Sequence, residues 1–296
     1  MHAYDLRVFQ LTMMDSTPIS YEYMPLLGKT AEFARLSESG VPAHFYGANG
    51  FPSACYLNFL EPIRKNYELE SLSLRACWPE IGKPPRQVNW QRYADDLIAF
   101  LDERNRGPIV GIGHSQGATA TLMAAAMRPD LFQSIILIEP ASIPKHLSKL
   151  AAMVPFSIKR TQEPVKSALA RPDKWTSREA FVDWVHGYRA YRRLAESSIQ
   201  NWADYGLRAQ DGYLSNRFSK EWEAANYAKP QYVLDYVKEV FLPIKVIVGK
   251  PSLFLNPKMR NKWKAMSANT EWVEAYQYGH LFPLEAPDVC AEHVMG

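Results

Sequence analysis

The stretch G-P-I-V-G-I-G-H-S-Q-G, residues 107–117, constrains this chain more than any other. Ile109 to Ile112 is a short apolar run opened by Gly-Pro, the pattern of a buried strand in a parallel sheet. Ala118 to Met127 is rich in alanine and methionine, which suits a helix packed closely on that sheet. Gly113-His114-Ser115-Gln116-Gly117 joins the two with almost no loop. A turn that sharp strains the residue at its apex and admits only small residues two places before and after it. Gly113 and Gly117 meet that need and leave the Ser115 hydroxyl exposed at the carboxyl end of the sheet. The amino terminus of the helix below it offers unpaired N–H groups and a positive dipole, both suited to a developing oxyanion.

The 296 residues allow one large domain or a core with an insertion. A net charge of +3, with lysine and arginine scattered, gives no nucleic-acid footprint. No run approaches the ~18 apolar residues of a membrane span. The amino terminus lacks a basic segment followed by an apolar one, so no secretory signal is expected. Cys55, Cys77 and Cys290 are too few and too widely spaced for a disulfide framework or zinc site, and together these features predict a cytoplasmic protein.

In chain order, Leu6 to Met13 and Thr30 to Leu36 are weak elements, and Val41 to Tyr46 is the first clear inner strand. Tyr67 to Cys77 alternates as a second strand. Trp90 to Arg104 forms an amphipathic helix with Tyr93, Leu97 and Leu101 on one face and Asn89 as its cap. Asp95 and Asp96 are adjacent on that helix and do not face each other, so they are read as structural or solvated. Ser134 to Ile138 is a buried strand closed by Glu139-Pro140. Residues 141–241 then break the βα alternation with a helical, aromatic-rich segment that includes Trp175, Trp184, Trp202 and Trp222. Thr176-Ser177-Arg178-Glu179 is a capping-box sequence for a helix running to Arg193. Arg189, Arg192 and Arg193 on that helix are read as a solvated face rather than an anion clamp. Pro243 to Val248, Lys258 to Met266, Glu271 to Tyr276 and Glu285 to Met295 complete the chain as strand, helix, strand and helix.

A serine hydroxyl needs a base to remove its proton during attack. Of the seven histidines, only His280 sits on a loop after a late strand, following Gly279 and in the chain order Ser…acid…His.

On the elbow G-H-S-Q-G, the loop G-A-N-G-F-P at residues 47–52 and the closing run G-H-L-F-P-L-E-A-P at residues 279–287, the chain resembles the α/β-hydrolase fold family over most of its length. The resemblance implies an α/β fold: a mostly parallel central sheet with helices on both faces and an antiparallel edge. The core would span 1–140 and 242–296, with an inserted helical cap over 141–241. It implies an oxyanion hole made by the backbone N–H groups of Phe51 and Gln116, and Glu285 supporting the final loop. The family's usual acid position, after the strand preceding the last, holds Ser252 and no carboxylate. Glu139, in an L-I-E-P-A-S-I-P run similar to that of haloalkane dehalogenases, is the assigned acid; a dyad, or an acid from the cap, is the alternative. Asn49, Trp78, Trp184, Tyr188 and Leu281 are the expected pocket residues.

The expected reaction is cleavage of a carboxylic ester or thioester of a largely apolar small molecule, with no cofactor and no metal called for. A C–C bond hydrolase or lyase on the same scaffold, or a non-catalytic ligand receptor, are the rivals. No nucleic-acid or membrane partner is expected. The oligomeric state is open, a homodimer being the one assembly considered.

Overall fold

The computed structural model describes residues 19–85, 88–250 and 252–296; the element expected over Leu6 to Met13 lies outside them. Ten strands form in chain order: β1 Tyr21–Leu26, β2 Lys29–Arg35, β3 Val41–Tyr46, β4 Tyr67–Leu72, β5 Ile109–His114, β6 Phe132–Ile138, β7 Leu207–Gln210, β8 Tyr213–Asn216, β9 Ile244–Gly249 and β10 Thr270–Ala275. Eight of them make one sheet in the order β1-β2-β4-β3-β5-β6-β9-β10. β2 pairs antiparallel with β1 and β4, whereas β4, β3, β5, β6, β9 and β10 run parallel to one another.

Burial on both faces explains the unbroken apolar strands. Along β6, Ile135 and Leu137 enter one core while Ile136 and Ile138 enter the other, and Val246 and Ile247 of β9 divide in the same way. Side chains alternate across a sheet with period two, so two adjacent isoleucines satisfy two opposite helical layers. One layer holds the helices Gln91–Arg104 and Gln116–Met127, and the other holds Leu57–Ile63 and the terminal Pro287–Met295. Every residue from Gln116 to Ala125 is buried, which is why this helix is built of alanine and threonine. The helix Gln91–Arg104 is capped at Trp90 rather than at Asn89, whose side-chain carbonyl, one residue earlier, accepts the Gln91 N–H at 3.2 Å.

The chain leaves the sheet after β6 and returns at β9. Between them stand seven helices, the first Lys145–Met153 and the last Leu234–Val237. The expectation of a wholly helical segment needs one correction, because β7 and β8 form an antiparallel hairpin. Its two-residue turn is Asp211-Gly212, with φ of 48° and 79°. An Asp-Gly pair between alternating residues is a strong short-range hairpin signal. The helix expected to run to Arg193 ends at Gly187 and is followed by a single tight turn, Arg189–Tyr191. Its cap is Ser177, whose hydroxyl accepts the Ala180 N–H at 3.2 Å. Among the described residues, no helix is long and apolar enough to cross a membrane.

Two histidines are sealed in the sheet layer. The His44 Nε2 accepts the Leu72 N–H at 2.9 Å, and burial pushes its pKa down to about 3. His114 is likewise buried and held down to about 3, first by burial and then by the nearby His280. Both are neutral in the folded protein and titrate near 6.5 once unfolded. The unfolded chain therefore binds more protons between about pH 3 and 6.5, and the stability present above that window is lost as pH falls through it. Each group contributes about 1.4 kcal/mol per pH unit there. Urea unfolding at pH 6 and pH 5 is expected to show a loss of about 2 kcal/mol from this pair. A flat profile over that interval would contradict the neutral, buried imidazoles.

Candidate active site

Ser115 sits at the apex between β5 and the helix Gln116–Met127 with φ 54° and ψ −116°, a backbone that L-residues rarely adopt. The flanking glycines permit it. A Cβ on Gly113 would lie 2.5 Å from the Ala118 Cα, and one on Gly117 would collide with the Tyr46 carbonyl of β3. The Ser115 N–H donates to the Ile138 carbonyl at 3.0 Å, which ties the elbow to the end of β6.

Three loops converge here at the carboxyl ends of the strands. The Ser115 Oγ is 2.9 Å from the His280 Nε2, and the His280 Nδ1 is 3.2 Å from the Glu139 Oε2. Glu139 is fully buried, with φ 46° just past β6. Its Oε1 accepts the Gly249 N–H at 2.6 Å, and its Oε2 accepts the Ser252 hydroxyl at 3.0 Å. Ser252 in turn accepts the Leu255 N–H at 3.1 Å. Ser252, at the vacant acid position, is thus bonded to the carboxylate that the neighbouring strand brings to His280. The Phe254 ring stands edge-on to His280 at 4.8 Å, and Glu285 accepts the Gly279 N–H at 3.0 Å, supporting the final loop as expected.

A second chain of bonds runs behind the elbow and was not anticipated from sequence. The His114 Nε2 faces the His280 carbonyl at 2.8 Å. A carbonyl can only accept, so that nitrogen carries the proton and Nδ1 is left to accept. Nδ1 takes the Tyr56 O–H at 2.8 Å, and the Tyr56 oxygen accepts the Ala48 N–H at 3.0 Å. The residue before the nucleophile therefore links the loop after β3 to the loop that carries His280. Tyr56→Phe would leave the His114 Nδ1 and the Ala48 N–H unpaired in a buried site. The expected cost is about 1–3 kcal/mol of folding stability, read by urea denaturation. A variant as stable as the parent would show that the chain of bonds carries no load.

The loop after β3 corrects the assignment of Phe51. Its N–H donates to the Ala48 carbonyl at 3.3 Å and closes a turn with Gly50 at φ 94° in the third position. That N–H is spent. Ala48, Asn49 and Phe51 all border the cavity above Ser115, and the Asn49 N–H has no acceptor among the described residues. Gln116 opens its helix, so its N–H has no intrahelical partner, as expected. The Asn49 side chain is occupied, donating to the Glu223 carbonyl at 3.2 Å and accepting from Asn226 at 2.8 Å.

The cleft has two lobes that meet at His280. The inner lobe, about 590 Å³, is bordered by Ser115, Gln116 and Asn49 and walled by Trp90, Ile143, Pro230 and Phe254. The outer lobe, about 790 Å³, is bordered by His280, Tyr188, Tyr191 and Arg189. Leu281 borders both lobes and Tyr188 the outer one. Two other assignments are corrected. Trp78 is buried against Arg75, its Nε1 donating to the Ser73 carbonyl at 2.7 Å, and borders neither lobe. Trp184 packs among Trp175, Phe181, Tyr188 and Tyr191, one layer behind the cleft wall. That aromatic cluster holds the insertion to the core through Phe51, whose ring lies 5.0 Å from Trp202 and 5.7 Å from Tyr191.

Comparison with known proteins agrees with this architecture. Lipase LipV of Mycobacterium tuberculosis (strain ATCC 25618 / H37Rv) is 24% identical over 222 residues, 70% of this chain and 75% of its own. Type I acyl-CoA thioesterase mpaH of Penicillium roqueforti (strain FM164) is 29% identical over 120 residues, 36% of this chain and 26% of its own. Among solved structures, E-2-(Acetamidomethylene)succinate Hydrolase matches with a TM-score of 0.76 over 94% of this chain and 98% of its own; at 18% identity, that is a likeness of fold. The family model described as "Alpha/beta hydrolase family" matches residues 43–293, so this chain belongs to the alpha/beta hydrolase family.

Proposed function

We propose that this protein is a serine hydrolase that cleaves a carboxylic ester or thioester through an acyl-enzyme. One observation carries the reading: a strained Ser115 whose Oγ lies 2.9 Å from His280, with His280 in turn 3.2 Å from a buried carboxylate. In the first step the Ser115 Oγ bonds to the substrate carbonyl carbon while the His280 Nε2 takes the hydroxyl proton. The carbonyl π electrons move onto oxygen, where the N–H groups of Asn49 and Gln116 would hold the negative charge. The carbon–oxygen or carbon–sulfur bond then breaks, and the leaving atom receives the proton from His280. Water, deprotonated by the same imidazole, attacks the acyl-serine and frees the acid and Ser115. Glu139 holds the imidazole with its Nδ1–H toward the carboxylate and stabilises the imidazolium.

The apolar inner lobe supports an acyl group of largely apolar character. A lipase and an acyl-CoA thioesterase among the relatives support the ester and thioester classes. The supply of an acid by Glu139 favours turnover over the receptor reading. Cys55, Cys77 and Cys290 are free and buried, which supports placing the protein in the cytoplasm. The test is labelling with a fluorophosphonate, read by intact mass. One adduct on the wild type and none on Ser115→Ala is the expected result; an unlabelled, folded wild type would rule out an activated serine.

A further inference from the structure

The two lobes are not equivalent for the reaction. Ser115, Asn49 and Gln116 border the inner lobe only, whereas His280 borders both. The leaving atom must sit at the His280 Nε2 to receive its proton, so the acyl portion occupies the inner lobe and the leaving group extends past His280 and Leu281 into the outer one. This assignment rests on the ester or thioester reading above.

The outer lobe is bordered by three arginines from one short stretch, Arg189, Arg192 and Arg193, and by the carboxylates Glu163, Glu223 and Glu285. Each carboxylate is already engaged. Glu285 pairs with Arg193 at 2.8 Å, and Glu223 pairs with the buried Arg171 at 3.0 Å. Glu163 accepts the Ser167 N–H at 3.1 Å and the Ser167 hydroxyl, at the start of the helix Val165–Ala170. Arg189 and Arg192 are exposed, and among the described residues no carboxylate lies within 4.0 Å of either guanidinium. The three arginines are solvated, as expected, and also border the cleft, and among the described residues two of the three have no carboxylate partner. Guanidinium groups suit planar bidentate recognition of phosphate or carboxylate.

We propose that the leaving group of the natural substrate carries an anionic group, phosphate or carboxylate, which Arg189 and Arg192 bind in the outer lobe. The acyl end is apolar and the alcohol or thiol end is charged.

The experiment is calorimetric titration of the full-length Ser115→Ala protein with matched thiols. 4′-Phosphopantetheine against pantetheine isolates a phosphate, and N-succinylcysteamine against N-acetylcysteamine isolates a carboxylate. In one of the two pairs the anionic member is expected to bind at least about tenfold tighter, which identifies the anion. That preference should shrink as KCl is raised to about 0.5 M, since exposed charges are screened. It should vanish in Arg189→Gln/Arg192→Gln and weaken without vanishing in Arg189→Lys/Arg192→Lys, which keeps the charge but not the bidentate fork. Equal binding within each pair, absence of binding in both, or a preference that survives in the glutamine variant would overturn the proposal. None of these outcomes bears on fluorophosphonate labelling of Ser115, which judges the hydrolase reading separately.

Discussion

Ser115→Ala is expected to lower kcat/KM for any ester or thioester substrate by a factor of about 10^4 to 10^6 while the protein remains folded. The methyl group fits the elbow as well as the hydroxymethyl did, because only the Oγ is lost and its hydrogen-bond partner is the His280 Nε2. His280→Ala should fall to nearly the same level, since the serine then has no proton acceptor. The double variant should lose almost nothing more, because nucleophile and base act as one unit. Steady-state rates of the three variants, on the best ester found by screening, check this directly. Multiplicative losses in the double variant would mean that the two residues act independently and that the geometry seen here is not the working one.

The second large effect concerns the acid. Glu139→Gln is expected to cost about 10^3 to 10^4 in kcat. A carboxylate accepts from Gly249, Ser252 and the His280 Nδ1–H together. An amide that offers its NH2 to His280 instead stabilises the opposite tautomer, with the Nε2 proton directed at Ser115, where it cannot serve as a base. Because the Ser252 Oγ lies 3.0 Å from the Glu139 Oε2, an aspartate at 252 would place a carboxylate within reach of the same imidazole. Glu139→Gln/Ser252→Asp should regain at least about tenfold over Glu139→Gln. Ser252→Asp alone should impair the enzyme, because two carboxylates would crowd one site. An unimpaired Glu139→Gln would remove Glu139 from the mechanism.

The parts of the site that could be read from sequence are those fixed locally. Gly113, Ser115 and Gly117 stand within five residues, and the strain they accommodate is a property of that turn. His280 followed from its place after the last strand. Glu139 was reachable because an acid just past a buried strand ends up beside the next strand's loop, but the bracing role of Ser252 depends on β6 and β9 being neighbours. Phe51 failed as a donor for a reason of register: Gly50 at positive φ folds Ala48 to Phe51 into a closed turn, and the free N–H falls two residues earlier. Trp78 and Trp184 failed because a tryptophan near a cleft packs as readily behind the wall as in it, and only tertiary contacts decide between the two. Arg189, Arg192 and Arg193 are solvent-exposed, as read from sequence, but that they also border the cleft depends on the helix ending at Gly187, which the sequence did not show.

The position of Glu139 has a further consequence for how the molecule can change. Ser115 and Glu139 lie at the two ends of a single unit, the elbow helix and β6, and the Ser115 N–H is bonded to the end of β6. Members of this fold with the acid after β9 draw it from beyond the insertion, so drift in the insertion can separate it from the serine. Here the whole aromatic-rich segment follows both groups, and only the histidine is contributed from beyond it. The insertion is thus free to be recut for a new substrate while Ser115 and Glu139 keep their spacing.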